Sequence, residues 1–389
     1  MLSKLLKPEV RAFIKSHEKS DLDRLLFNKS KYPDIPIDLV VNQIRARAKA
    51  KIKMPLWFIT DEVVMPPLLS MEQSSSEETA LYKSKFFKGD LAIDLTGGAG
   101  VDTYYLSKQF KKVIYIDFNK DLADIAKYNF KVFGTQNIEV LHVDSEDFII
   151  NYKGHADLIY IDPARRNQSQ KLFLLEDCSP NILTLQSQLL EKATSVMVKA
   201  SPMLDISKAI SQLSDVNNIH VVAIKNEVKE LLFVQSLATL NLLKIKAIDL
   251  TYKLPFECDW GQIEHSKLGE LATYLYEPNA AILKSGKGDV LASNYNLQKL
   301  NSNTHLFTSI KLEEEFPGRV FKVDRVLKYD KKEIKRTLPS MKANIATRNF
   351  PDSVDDFRKK TGIKPGGNHY IFAFRDIANK SKIVLCSKI

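Results

Sequence analysis

"AIDLTGGAGVDTYYLS", residues 92–107, runs from a β-branched strand through a glycine-rich turn into the start of a helix. Gly97, Gly98 and Gly100 permit positive φ and let the backbone approach a ligand, while the following helix points its free amides at the turn. Such a turn often does no more than connect elements, so its chemistry rests on the acids around it. Asp94 lies just before the glycines, where a nicotinamide-binding turn normally stays apolar. A carboxylate there repels a pyrophosphate but suits the ammonium of an amino acid. Asp117 ends the next run, 17 residues after Gly100, where it can accept both hydroxyls of a ribose. Asp144 ends the third and can meet the exocyclic amine of an adenine. The ligand implied carries an adenosine and a positive charge, and no phosphates.

Around this turn, short β-branched runs alternate with helical stretches: "LAIDL" (91–95), "KVIYID" (112–117), "IEVLHVD" (138–144), "DLIYID" (157–162), "SVMVKAS" (195–201) and "IHVVAIKNE" (219–227). Alternation of this kind predicts an α/β fold, a parallel sheet with helices on both faces and a ligand beyond the carboxyl ends of the strands. Residues 1–85 read as helical. In "IDLVVNQIRARAKAKIKMPLWF", Val40, Ile44, Ala48 and Ile52 form an apolar line and Arg45, Lys49 and Lys53 a basic one. Ser74 with Glu77 and Ser75 with Glu78 make two overlapping capping boxes, which predict a helix start that could roof the cleft. After about residue 275 the pattern changes to shorter strands, at 318–329, 342–350 and 368–377, in small α+β units. The expected divisions are 1–85, 86–275, 276–322 and 323–389.

A chain of 389 residues exceeds one ordinary core. No window approaches the roughly 18 uncharged apolar residues of a membrane span, and the first 20 residues lack a secretory leader's apolar stretch, so a cytoplasmic protein without a membrane segment is expected. Cys178, Cys258 and Cys386 are far apart and odd in number, which argues against disulfides and against a metal site; they read as small buried apolar residues. Net charge is +10, and it is uneven. Residues 1–60 carry 13 basic and 6 acidic side chains, residues 301–389 carry 19 and 10, and the centre is left at −6. Basic ends about an acidic centre suit a chain that holds a polyanion over a central site, although lysine-rich surface also serves solubility.

The segments "IDLTGGAG", "IDFN", "HVDSEDF" and "IDPARR" together resemble the motifs of the class I S-adenosylmethionine-dependent methyltransferases, over roughly residues 90–235. The resemblance implies a Rossmann-like sheet and S-adenosyl-L-methionine as cofactor. Asp94, Thr96, Gly97, Gly98 and Gly100 would cradle its methionine part. Asp117 would bind the ribose, Phe118 pack on the adenine, and Asp144 with Ser145 lie at the adenine edge. Asp162 and Pro163 occupy the catalytic position, with Asp162 as base or hydrogen-bond acceptor. Many base-amino methyltransferases continue there with a second proline and an aromatic that stacks on a flipped base. Here Ala164, Arg165 and Arg166 follow, which argues against adenine-N6 or cytosine-N4 as the target. The arginines could clamp a substrate phosphate or carboxylate, or pair with Glu176 or Asp177. Asp-Pro-x-Arg is also similar to the uracil-C5 RNA methyltransferases, but "VMVKASPMLD" lacks the cysteine nucleophile that chemistry needs. Lys199, in that same segment, could bind an anion.

"KANIATRNFPDSVDDFRKKTGIKPGGNHYIFAFRD" (342–376) resembles a THUMP-like domain, and "YLYEPNAAILKSG" (274–286) the small ferredoxin-like unit that precedes it in one bacterial methyltransferase family. True THUMP domains bind RNA, so the resemblance implies RNA as partner. Arg348, Arg358, Lys359, Lys360, Lys364 and Arg375 lie near Phe350, Phe357 and Tyr370, cations and rings that can contact a backbone and stack a base, though most of these rings are expected in the core. The expected activity is methylation of tRNA or rRNA. A methyltransferase of proteins or small molecules, and a non-catalytic RNA-binding protein of the same fold, are the alternatives. The oligomeric state and the accepting atom are not written in the sequence.

Overall fold

The computed structural model describes residues 1–165, 174–237 and 242–389, with only the backbone of Arg165. The chain divides into two compact units, residues 1–217 with 232–240, and residues 218–231 with 241–389.

The first unit opens with α1 (Leu2–Leu5), α2 (Pro8–Ser16), α3 (Leu22–Phe27), α4 (Ile37–Lys53), α5 (Pro55–Ile59), α6 (Leu68–Gln73) and α7 (Glu77–Ser84). Helix α4 buries Ile37, Val40, Val41 and Ile44 against Leu5, Val10, Leu25 and Val64, then Ala46 and Ala50 against Trp57 and Met71. The expected apolar line therefore fails at its end, since Ala48 is exposed and Ile52 is 84% exposed. A strict four-residue spacing gains about 40° per step on a 3.6-residue helix, so by the third step it has left the core face. The expected caps move as well. Ser76 caps α7 by accepting the Thr79 amide. Ser74 ends α6, and Ser75 turns inward.

The Rossmann-like part contains β1 (Gly89–Asp94), β2 (Phe110–Asp117), β3 (Ile138–His142), β4 (Ala156–Ile161), the short pair β5 (Ala164–Arg165) and β6 (Cys178–Ser179), and β7 (Ala193–Ala200). Helices α8 (Val101–Leu106), α9 (Lys120–Val132), α10 (Ser145–Asn151), α11 (Ile182–Lys192) and α12 (Ile206–Gln212) connect or follow them. The parallel strands lie in the order β7-β4-β1-β2-β3. The order reverses between β1 and β4, and it is outside the carboxyl ends at such a reversal that open α/β sheets bind ligands. Asp94, Asp117 and Asp162 all stand there. The sixth expected run is two strands, β8 (Val216–Ile224) and β9 (Glu227–Gln235), joined by Lys225 and Asn226 at positive φ (51° and 61°), a hairpin turn instead of a crossover. The division between units falls within these two strands.

In the second unit, β8 is followed in space by β10 (Lys244–Asp249) in parallel and β11 (Phe256–Asp259) antiparallel to it. Further on come β12 (Tyr274–Pro278), α13 (Ala280–Ser285), α14 (Gly288–Asn294), β13 (Gln298–Asn301), β14 (Thr304–Ser309), β15 (Gly318–Leu327), α15 (Lys331–Thr337), β16 (Asn344–Arg348), α16 (Val354–Thr361), β17 (His369–Arg375) and β18 (Ser381–Lys388). They share one sheet, ordered β13-β14-β12-β15-β18-β17-β16. Position 322/323 lies inside β15, whose first half pairs with β12. Ile334 of α15, Leu338 just after it and Phe357 of α16 pack on Leu327, Ile371 and Ile383 of the sheet. Each such burial contributes about 1.5–3 kcal/mol. Phe357 thus belongs to the core, Phe350 packs beside it, and Tyr370 packs on Phe321.

Cys178 and Cys386 are buried and Cys258 is half-buried, all three as free thiols. No described helix is long and apolar enough to cross a membrane. Among the described residues no group of three or more His, Cys, Asp or Glu could hold a metal ion.

Candidate active site

The glycine turn is held from below by a ring. Tyr115 on β2 lies under Gly97 so closely that a Cβ there would come 2.1 Å from it, and its hydroxyl donates to the Gly98 carbonyl (2.8 Å). Gly98 and Gly100 take φ of 53° and 78°, which a side chain would strain.

Asp94 is 1% exposed. It accepts the Thr96 amide at Oδ1 (3.0 Å) and the Thr103 hydroxyl at Oδ2 (2.6 Å). It has no ion-pair partner among the described residues. Burial pushes its carboxyl up to about 7, with the Thr103 bond opposing and the nearby Asp102 and Asp162 charges adding to the rise. Asp117 is also buried, which raises its carboxyl despite bonds from the amides of Asn119 (2.7 Å, to Oδ1) and Gly98 (2.9 Å, to Oδ2). A carboxylate offers about four lone pairs. Each of these acids spends one per oxygen on the protein and keeps one per oxygen, so Asp117 can take two hydroxyls and Asp94 a cation.

Asp144 caps α10 through the amides of Glu146 (2.8 Å) and Asp147 (3.1 Å), and Ser145 donates to the Leu95 carbonyl (2.5 Å), tying the end of β3 to that of β1. Phe118 is 74% exposed just past β2. Asp162 follows β4, and its amide donates to Thr96 Oγ1 (2.7 Å). Its carboxylate forms an ion pair with Lys199 of β7. Pro163 is buried beside it. The backbone of Arg165 pairs with Cys178 between β5 and β6, and Arg166 lies outside the described residues. Asp94, Thr96, Gly98, Asp117, Ser145, Asp162 and Lys199 are thus joined by direct hydrogen bonds or by neighbouring strand ends.

A second group escaped the sequence reading. Asp102, on the first turn of α8, accepts from Ser75 (2.7 Å) and Tyr160 (3.0 Å) and pairs with Lys83 of α7 (3.1 Å), which also donates to Ser75 (2.8 Å). Burial alone would raise the Asp102 carboxyl, but Lys83 and then Lys199 hold it below the usual range. The serine read as a cap and the lysine of "ALYKSKFF" gave no sign of this, because the pairing exists only once α7 packs on α8.

Residues 274–317 match a family of ferredoxin-like domains, and residues 318–388 match a THUMP domain-like family. A crystal structure from Porphyromonas gingivalis W83, assigned as a methyltransferase, is 31% identical to this chain; the match covers 98% of this chain and 97% of that one, with a TM-score of 0.87. An uncharacterised S-adenosylmethionine-dependent methyltransferase of Mycobacterium tuberculosis H37Rv is 20% identical over 318 residues, 79% of this chain and 82% of that protein. An uncharacterised RNA methyltransferase of Thermotoga maritima is 24% identical over 154 residues, 36% of this chain and 35% of that one.

Proposed function

The chain belongs to the class I S-adenosylmethionine-dependent methyltransferases that end in a THUMP-like domain, and we propose that its methyl acceptor is RNA, a tRNA or an rRNA, met in the cytoplasm. The observation that carries the RNA reading is the joining, in one chain, of the cofactor cleft to a THUMP domain-like segment with a strongly basic composition. The match to an RNA methyltransferase of Thermotoga maritima supports it over the part of the chain it covers.

In this reading Asp94, Thr96, Gly97, Gly98 and Gly100 hold the methionine part of the cofactor, with the carboxylate of Asp94 facing its ammonium. Asp117 holds the ribose hydroxyls through its two remaining lone pairs. Phe118 covers one face of the adenine, and Asp144 and Ser145 mark its edge. When bound, S-adenosyl-L-methionine supplies a methyl carbon on a positively charged sulfur, a good leaving group. The protein's part is then chiefly positioning. Asp162, paired with Lys199, accepts at a carboxylate oxygen the hydrogen bond or proton of the accepting group. Pro163 fixes the backbone at that point. Lys199, with Arg165 and Arg166, supplies positive charge toward the substrate.

Nucleoside mass spectrometry of total tRNA and rRNA from cells with and without the protein tests the reading. One methylated nucleoside is expected to vanish with the protein and return with its expression. Identical nucleoside profiles would overturn RNA as the acceptor.

A further inference from the structure

The second unit carries a set of cations that its own acids leave unanswered. On α15, Lys331, Lys332, Lys335 and Arg336 span an arc of roughly 140° at about 100° per residue. Ile334, outside that arc, and Leu338, which caps the helix's end, are buried, 0% and 2% exposed. All four cations are exposed, and among the described residues none is in ion-pair contact with an acid. The acids of this segment are occupied elsewhere. Asp330 caps α15 at the Glu333 amide (2.9 Å), Glu333 accepts the Lys328 amide (3.1 Å), and Asp352 holds Lys360 (2.7 Å) and the Tyr329 hydroxyl (2.5 Å). Lys331 and Lys335, and Lys332 and Arg336, are like charges four apart, each pair costing the isolated helix about 0.2–0.5 kcal/mol.

The charged surface continues past the helix. Lys331 lies over Gly362, where a Cβ would come 3.3 Å from its Cε. Lys342 and Lys364 are exposed partners in a β-bridge beside the Gly366-Gly367 turn. The cations that the sequence placed nearest to aromatic rings are less available. Arg348 pairs with the buried Glu277 (2.6 Å), Arg358 with Asp355 (3.8 Å), and Arg375 donates to the Asn379 carbonyl (3.2 Å).

We propose that the outer face of α15, extended by Lys342 and Lys364, is the docking surface for the RNA phosphate backbone; this rests on the RNA reading above. Two rows of cations, each about 5–6 Å apart along the helix, present a field that phosphates neutralise without base-specific geometry. A lipid surface is the poorer fit, because interfacial helices set Trp, Phe or Leu beside their cations and the four-residue face has none.

The test uses the full chain and fluorescently labelled unfractionated tRNA. The variant K331A/K332A/K335A/R336A is expected to bind at least about tenfold more weakly near 0.1 M salt. Its slope of log affinity against log salt should drop by about 3, at ~0.7 per phosphate contact. S-adenosyl-L-methionine affinity, measured by calorimetry, and melting temperature should be unchanged; if the variant melts early, K332E/R336E replaces it. Wild-type tRNA binding with the same affinity and slope in the variant overturns the docking surface and leaves the RNA reading standing. No wild-type binding to tRNA, nor to labelled total rRNA in the same assay, overturns both. A variant that keeps tRNA but loses binding to phosphatidylserine–phosphatidylcholine vesicles assigns the face to a membrane and overturns the proposal.

Discussion

Helices α4 and α15 look alike in sequence, each an amphipathic segment with lysines and arginines along its polar side, and they differ in where that charge ends. Around α4 most of it closes on the protein. Arg45 pairs with Asp23 (2.8 Å), Arg47 with Glu18 (3.0 Å) and Lys49 with Glu72 (3.3 Å), while Lys53 donates to the carbonyls of Met71 (3.0 Å) and Glu72 (2.7 Å). Around α15 the field stays open to solvent. The partners of α4 come from helices or loops 18 to 29 residues away in the chain, so a charge count along the sequence reports the sum and not its availability. A basic line becomes evidence of a polyanion only after its internal counter-ions have been found.

The largest effect is expected where pairing is buried. Lys83 and Asp102 are 3% and 12% exposed at their side chains. Lys83→Met would leave a buried anion without its ion-pair partner, at a cost of about 3–5 kcal/mol in urea unfolding. The double variant K83M/D102N should regain most of that loss, because it removes both charges. A single-variant loss below about 1 kcal/mol would mean that Asp102 is rehydrated and that burial does not separate this pair from the surface pairs of α4.

Asp94 is the inverse case, a buried carboxyl with no cation paired to it among the described residues. Burial holds its carboxyl at about 7, so near neutrality a large fraction is protonated in the free protein. In the proposed role, an ammonium facing it would select the anion, and binding would then release a proton. Cofactor affinity should therefore weaken by about tenfold between pH 8 and pH 6, or ~1.4 kcal/mol. Because the folded value lies above the unfolded one, this group's contribution to the free protein's stability is fully present below about pH 4 and is lost as pH rises through 7. Calorimetry in buffers of different ionisation enthalpy reads both affinity and proton release. Affinity independent of pH over that window would break the contrast between Asp94 and Asp102.

The cleft was legible where chemistry is local. Asp94, Gly97, Gly98, Gly100 and Asp117 sit within 24 residues, and their positions follow from strand, turn and helix in succession. That the central strands run parallel was legible for the same reason, while their order was not. The Ser75–Lys83–Asp102–Tyr160 network was not, since its members come from separate elements and each has an ordinary local role: cap, surface lysine, helix turn, core strand. The phase of α4 was misread because four-residue spacing mimics a helix face over two turns and departs from it over four. The hairpin at Lys225–Asn226 was missed because positive φ at two non-glycine residues leaves a weak mark in sequence.

The smallest effect bears most directly on the two helices. If α4 is silent because its cations are answered, then removing the answering acids should give it a voice. The triple variant E18Q/D23N/E72Q keeps side-chain size and leaves Arg45, Arg47 and Lys49 without carboxylate partners. Exposed pairs are worth about 0–1 kcal/mol each, so the melting temperature should move only slightly. Unfractionated tRNA should bind several-fold more tightly, with a salt slope steeper by up to about 2. The gain should be additive with the loss in the α15 variant, since the two surfaces would act independently on the polyanion. Unchanged tRNA affinity in the triple variant would mean that counter-ions are not what distinguishes the helices, and that α4 is excluded by shape instead of charge.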